Sequence, residues 1–418
     1  AARVREDPEL APYRDRLLLV EDVIEALQTL AHGVVTRWGQ PVVGITGSAG
    51  KTTTKDLTAH VLGVAGGRRV LRSKKNFNNE LGLPLSILQM ETGEASPADF
   101  DMAVLEMGMS TPREIARLCE IAPPDVGVEL LVAPVHLEFF GTIENIAAAK
   151  AQLVEGLKPG GTAVLNADDE RVAAMRSLHT SGAVITFGIE HKADVMASRI
   201  SNAGLGRTRF RLHTPLGEAD AELPMPGRHN LMNALAASAV ANCFGIAPGE
   251  IAGALSTAAP SEMRGELLNF REGFTVVDDS YNSNPRSLLS MCEALAQMSD
   301  EQTRRRIVVA GEMLELGPDA EAMHAQAGRE IGALGLDIFW GVRGLARHLV
   351  EGAREAGMPE DATRFFDSSE EAAEALSGFV RTGDLVLVKG SRGVRTDKVV
   401  KLLKERHDEE GEGVRDEG

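Results

Sequence analysis

Two glycines, a lysine and two adjacent threonines crowd into Thr46-Gly47-Ser48-Ala49-Gly50-Lys51-Thr52-Thr53. The segment follows the β-branched run 41–46 and precedes the helical pattern of residues 55–64. In a strand–loop–helix context the glycines let backbone N–H groups turn inward around phosphate oxygens. The helix N-terminus adds a partial positive charge. Lys51 then neutralises the outer phosphates and the Thr52 hydroxyl ligates magnesium. Gly47, Ser48, Ala49, Gly50, Lys51, Thr52 and Thr53 are therefore the candidate ATP-binding set. The strict G-x-x-x-x-G-K-[ST] pattern asks for glycine at position 45, where this chain has Ile45. A glycine-rich turn with a surface lysine remains the plain alternative.

Three further residues have types that suit the same chemistry. Glu106 ends the apolar run Ala103-Val104-Leu105, and ligands of open α/β sheets bind outside the carboxyl ends of strands. A carboxylate there can hold magnesium beside phosphates. His136 follows Val132-Ala133-Pro134-Val135; the alternative is a structural histidine. Lys150 falls on the apolar stripe of the helix expected over 143–157, with Ile143, Ile146, Ala147, Leu153, Val154 and Leu157. A buried ammonium must be paired, neutralised or chemically changed. A neutral amine reacts with carbon dioxide to give a carbamate, an anion able to ligate a metal. The alternative is a lysine that snorkels to water.

The elements that must position these groups alternate between strand and helix. Strands are expected at 41–46, 103–105, 126–132, 162–165 and 184–187, with short antiparallel strands within 194–224 and a helix over 229–243. A second run of strands is expected at 274–278, 306–310, 337–340 and 385–388. The fold class is thus α/β: a central P-loop-type domain with a mostly parallel sheet, followed by a smaller Rossmann-like α/β domain. Residues 1–40, with a strand at 16–20 and an amphipathic helix at 22–31, are too few to bury a core. The expected divisions are 1–40, 41–258, 259–405 and an acidic tail, 406–418. No GxGxxG follows the later strands, so a dinucleotide site is not supported.

Composition bounds the rest. The 418 residues carry 44 basic and 61 acidic side chains, net −17, which does not suit general nucleic-acid binding. Three widely spaced cysteines argue against zinc or disulfides and fit a reducing cytoplasm. No apolar run is long enough to span a bilayer.

The phosphate loop, Asn76-Phe77-Asn78-Asn79, Glu106-Met107-Gly108, His136 with Gly141 and Lys150, and Gly227-Arg228-His229-Asn230-Leu231-Met232-Asn233 resemble the Mur ligases in order and spacing. Residues 76–88, 278–285, Gly311-Glu312-Met313-Leu314-Glu315-Leu316-Gly317 and Lys389-Gly390-Ser391-Arg392-Gly393 resemble the branch of that family that adds D-alanyl-D-alanine. The resemblance covers nearly the whole chain.

It implies an ATP-dependent amide ligase joining D-alanyl-D-alanine to UDP-N-acetylmuramoyl-tripeptide, monomeric and cytoplasmic. Lys51, Thr52 and Glu106 would hold ATP and a first magnesium; His136 and a carbamylated Lys150 would serve a second. Asn230 and Asn233 would contact the base region and Arg264 the γ-phosphate. Asp279 and Asn282 would bring the last domain to the nucleotide. Asn76, Asn78 and Asn79 would line the acyl-substrate channel, and Ser391 and Arg392 would bind substrate on the last domain.

This chain departs from the family's pattern in places. Glu129-Leu130-Leu131 stands where the strand usually ends Thr-Asn, and Arg113 stands where glycine is common. Most of the family's N-terminal domain, which holds the uridine diphosphate end, is expected to be missing. Another Mur-superfamily ligase (such as a folylpolyglutamate synthase), a P-loop kinase or switch, and a non-catalytic ATP-binding relative remain open at this level.

Overall fold

The computed structural model describes residues 12–13, 15, 17–74, 77–93, 95–134, 137–203, 206–298 and 303–408. Two sheets organise them. The first has nine strands: β1 Val42–Thr46, β2 Val70–Arg72, β3 Met102–Glu106, β4 Val126–Glu129, β5 Thr162–Asn166, β6 Ala183–Gly188, β7 Val195–Asn202, β8 Thr208–Thr214 and β9 Gly217–Leu223. Their spatial order is β2-β3-β1-β4-β5-β6-β7-β8-β9. Neighbours are parallel from β2 through β7, while β7, β8 and β9 form an antiparallel edge.

β1 is buried along its whole length, as its unbroken apolar run requires of a central parallel strand. It lies between β3 and β4, at the switch point where the chain first turns to one side of the sheet and then to the other. The registers Ile45↔Glu106 and Thr46↔Glu129 bring the ends of these three strands level. The loop after Thr46 is therefore flanked by Glu106 and Glu129.

One face of this sheet packs on the helices Lys51–Val64 and Arg228–Cys243 through Val43, Ile45, Val128 and Leu130. The alanine-rich face of the second helix allows that close approach. The other face packs on the helix Ile143–Glu155 through Val42, Ala103, Leu105 and Leu165. Strand alternation puts Gly44, Thr46, Gly127 and Glu129 on this second face. A Cβ on Gly44 or Gly127 would meet Leu153 of that helix at 3.0 and 3.3 Å.

The second sheet has six strands: β10 Glu266–Asn269, β11 Thr275–Asp279, β12 Arg305–Gly311, β13 Ile338–Val342, β14 Thr363–Phe366 and β15 Asp384–Lys389. Their order is β10-β11-β15-β12-β13-β14, parallel except for β10. Both are α/β units, as the alternation of patterns implies.

Several boundaries move. The expected strand 16–20 is absent over 17–20, and Arg16 lies outside the described residues. The following helix runs Val23–Trp38, past the expected residue 31, and buries Ala31, Val34 and Val35 in the core beneath the first sheet. Asp22 caps its start by accepting from the Ile24 and Glu25 N–H groups. The strand expected to reach Val132 ends at Glu129. Beyond it the backbone serves the phosphate loop instead, with Ser48 N–H donating to the Leu131 carbonyl at 2.8 Å. The short strands β2, β10 and β14 carry too few residues to show a period of two.

Candidate active-site cleft

The loop between β1 and the helix Lys51–Val64 is built as a phosphate cradle. Gly47 and Gly50 both take positive φ, 151° and 84°. At Gly50 a Cβ would lie 2.4 Å from Asn233 Oδ1, so only glycine lets the two segments meet. Asn233 Oδ1 also accepts from Thr54 Oγ1 at 3.2 Å, tying the loop's helix to Arg228–Cys243. Ser48 Oγ accepts from Ala133 N–H at 2.9 Å. Lys51 curls back and donates from Nζ to the Gly47 carbonyl at 2.9 Å, over the loop it would share with phosphates. The packing around Lys51 lowers its pKa; Glu106 opposes that shift and Arg264 adds to it.

Glu106 is buried at the end of β3 and joins two partners. Its Oε2 accepts from Thr52 Oγ1 at 2.7 Å, and its Oε1 accepts from Asn78 Nδ2 at 2.8 Å. A hydroxyl and a carboxylate thus meet at the first turn of the loop's helix, an oxygen donor set that suits magnesium. Among the described residues no three His, Cys, Asp or Glu side chains cluster as a metal cage.

Lys150 lies under this region rather than on its surface, only 3% exposed. Burial pulls its pKa down to about 7; Lys51 pushes the same way and Glu129 opposes. The amine is therefore readily neutral, the form that adds carbon dioxide. Glu129 is fully buried on the same sheet face, and neither of its oxygens has a hydrogen-bond partner. Burial drives its carboxyl well above the usual range, against the pull of Lys150 and with a further push from Asp169. The neighbouring Thr46 Oγ1 is also buried without a partner. His136 and Asn76 lie outside the described residues.

The second sheet supplies the opposite wall. Lys389, at the end of β15, donates to Asp279 Oδ2 at 2.6 Å and to the Asn282 carbonyl at 2.8 Å, fixing the turn after β11. The Arg264 guanidinium lies 4.0 Å from the Tyr281 ring centre, and that of Arg392 5.9 Å from the same ring. Ser391 Oγ accepts from Leu314 N–H at 3.0 Å and donates to the Ser283 carbonyl at 3.3 Å. His229 joins the two walls through Nδ1 and Ser290 Oγ at 3.0 Å; burial lowers its pKa to about 4, so it bridges as a neutral ring.

Between the walls lies a cleft of about 900 Å³. Ser48 through Thr53, Asn78, Asn79, Glu106, Asn230, Asn233, Arg264, Asp279, Asn282, Ser391 and Arg392 all line it. Gly47 is not among the lining residues, though its carbonyl accepts from the Lys51 ammonium. Asn230 also donates to the Pro226 carbonyl at 2.8 Å, which braces its own helix start. Lys389, Tyr281 and Leu314 line the cleft too; the resemblance covers their segments but gave none of the three a role. Lys389 had the same signal as Glu106, a charged residue closing an apolar parallel strand. Arg113, where glycine is common, holds φ at 69°, the left-handed region that glycine enters without strain.

Known proteins resemble this chain in both of its units. Residues 45–241 match the Mur ligase middle domain, and residues 263–392 match the Mur ligase, glutamate ligase domain. The UDP-N-acetylmuramoyl-tripeptide–D-alanyl-D-alanine ligase of Bacillus subtilis is 34% identical over 392 residues, covering 94% of this chain and 82% of the relative. The ligase of the same name from Mycobacterium bovis is 39% identical over 402 residues, covering 91% of this chain and 77% of its own length. Among solved structures, the MurF ligase of Thermotoga maritima in complex with ADP superposes with a TM-score of 0.80 at 29% identity, covering 94% of this chain and 86% of that one.

Proposed function

Because this chain belongs to the Mur ligase family, among the ligases that add D-alanyl-D-alanine to UDP-N-acetylmuramoyl-tripeptide, we propose that the cleft joins those two substrates through an acyl phosphate. The chain is an ATP-dependent, amide-forming ligase of peptidoglycan synthesis. In the proposed sequence the tripeptide's terminal carboxylate attacks the γ-phosphorus of ATP, giving the acyl phosphate and ADP. The amine of D-alanyl-D-alanine then adds to the activated carbonyl. The tetrahedral adduct collapses to the amide and phosphate as the amine gives up its proton.

Each wall has a part in this. The phosphate loop and Lys51 hold the outer phosphates, and Lys51 meets the charge that spreads over the transferred group. Arg264 reaches the γ-phosphate from the opposite wall. Asn78, fixed against Glu106, lines the approach of the acyl substrate. Arg392 and Ser391 face the amine side. Pressing the two walls together keeps water from the acyl phosphate.

Thr52 and Glu106 would hold one magnesium ion, and a carbamylated Lys150 with His136 a second; the ions supply charge neutralisation on phosphate oxygens. No helix among the described residues is long and apolar enough to cross a membrane. A cytoplasmic monomer working on soluble nucleotide substrates is the state we assign.

The observation that carries this reading is the convergence of Lys51, Thr52 and Glu106 with Arg264, Asp279 and Arg392 on one cleft. An amine panel tests it. With ATP and UDP-N-acetylmuramoyl-tripeptide, phosphate release is expected with D-alanyl-D-alanine and not with glutamate or lysine. Release driven by a single amino acid in place of the dipeptide would refute the assignment.

A further inference from the structure

Polar and apolar groups line the cleft in about equal measure, and among its described large aliphatic side chains Leu314 is the one that stands exposed, on a backbone held with unusual care. Leu314 is 38% exposed and lines the cleft on the second wall. A single exposed leucine ordinarily needs no explanation. Here three separate devices fix its segment. His324, fully buried, takes Met313 N–H on Nε2 at 2.9 Å. Its Nδ1 lies 2.6 Å from the Ala320 carbonyl and must donate to it, which sets the neutral tautomer. Ser391 Oγ takes Leu314 N–H at 3.0 Å, and Ser391 N–H reaches the Glu312 carbonyl at 3.4 Å. Glu315 then turns left-handed at φ 64°, a conformation that is costly for a residue with a Cβ.

Strain of this kind persists where the surroundings over-determine it, and it gathers at ligand clamps. The side chain is seated as well. A Cβ on Gly393 would lie 2.8 Å from Leu314 Cδ1, so the bare backbone of Gly393 is what lets Leu314 lie where it does. Arg392, the residue before Gly393, also lines the cleft.

We infer that Leu314 is the specificity-determining contact for the incoming amine substrate, receiving a small apolar side chain while Arg392 takes the carboxylate. This rests on the ligase reading above and deepens it, naming the feature of the amine that the second wall selects. A D-alanyl-D-alanine molecule offers one terminal carboxylate and two methyl groups; free glutamate and lysine offer no methyl to this ledge. His324 is a positioning residue that acts through Met313. Neutral imidazole is the form that both accepts from Met313 and donates to Ala320. Burial lowers its pKa, with Glu312 opposing and His348 adding to the shift.

The test compares kcat/KM for D-alanyl-D-alanine with that for D-alanylglycine and glycylglycine, in the unmodified chain, Leu314→Ala and Gly393→Ala. The unmodified chain should favour the methyl-bearing dipeptide by about ten- to a hundredfold, the span a methyl group is worth in an apolar pocket. Leu314→Ala should bring that ratio close to one, with the loss in KM for the dipeptide and none in KM for ATP. Gly393→Ala, which displaces the leucine without removing it, should shrink the ratio in the same direction. His324→Gln should raise the dipeptide KM alone. Equal losses for all three dipeptides in Leu314→Ala would overturn the inference and leave the ligase reading standing. No turnover of any dipeptide by the unmodified chain would bring down both.

Discussion

Glu129 behind one wall of the cleft and Lys389 on the other are both buried charges, and the fold treats them in opposite ways. On the phosphate-loop wall, Thr46 Oγ1 and both Glu129 oxygens are buried with no partner. On the facing wall, the buried Lys389 ammonium is paired with Asp279 and also donates to the Asn282 carbonyl. A wall whose charges satisfy each other is shaped before any substrate arrives. Glu129 does not line the cleft, so its burial is a cost that the fold itself carries. The difference is one of preorganisation: a charge pair fixes the facing wall, while the other wall rests on a buried carboxylate without a partner.

The sharpest way to break this contrast is to remove the pairing. Lys389→Met leaves Asp279 close to buried and without its cation, and should cost about 3–5 kcal/mol of stability, read as a fall in the urea midpoint. The double variant Lys389→Met with Asp279→Leu should recover much of that loss, because it removes both charges. If the single variant melted like the parent, the pair would not be what shapes this wall.

The converse exchange on the other wall should stabilise. Glu129→Val removes an unpartnered buried carboxylate and should add about 1–4 kcal/mol. The effect has a pH signature. An ordinary glutamate releases its proton near 4.5, whereas burial makes the folded chain keep it well above that value. The folded state therefore loses stability as pH rises above about 4.5, until its own pKa is passed, and Glu129→Val should flatten that limb. Lys150 works in the other direction. Its folded pKa is about 7 against an ordinary 10.5, so stability is regained as pH climbs between those values. A Glu129→Val chain with an unchanged pH profile of unfolding would show that the carboxylate is already partnered.

The smallest expected effect lies outside both walls. Arg113 holds a left-handed φ of 69° just before the helix Glu114–Ile121. Arg113→Gly should relieve the strain and raise the melting temperature slightly, by a stabilisation of up to about 1 kcal/mol. No change in kcat should accompany it.

Much of the phosphate-loop wall was legible in the sequence, because strand, glycine turn and helix are local patterns. Glu106 and Lys150 were legible for a related reason: each is a charge where periodicity demands burial. Glu129 stood out in the same way, but its lack of partners depends on Thr46 and Lys150, which only the sheet registers and the covering helix bring near. The facing wall was harder to read. Its turn at Asp279–Asn284 was visible, yet Lys389 is 110 residues from Asp279, and no local pattern encodes that pairing. Leu314 was visible only as part of the family-like segment 311–317, since its fixed backbone comes from His324 and Ser391, which are 10 and 77 residues away. The helix Val23–Trp38 ran past its expected end because His32 and Gly33 blur the stripe that Val34 and Val35 continue.

One isotope measurement reaches the central claim without relying on any variant. UDP-N-acetylmuramoyl-tripeptide labelled with oxygen-18 in its terminal carboxylate is turned over with ATP and D-alanyl-D-alanine, and the released phosphate is weighed by mass spectrometry. Attack of that carboxylate on the γ-phosphorus requires one labelled oxygen to leave in each phosphate formed. Phosphate that carries no label while the amide is being made would contradict the acyl-phosphate route.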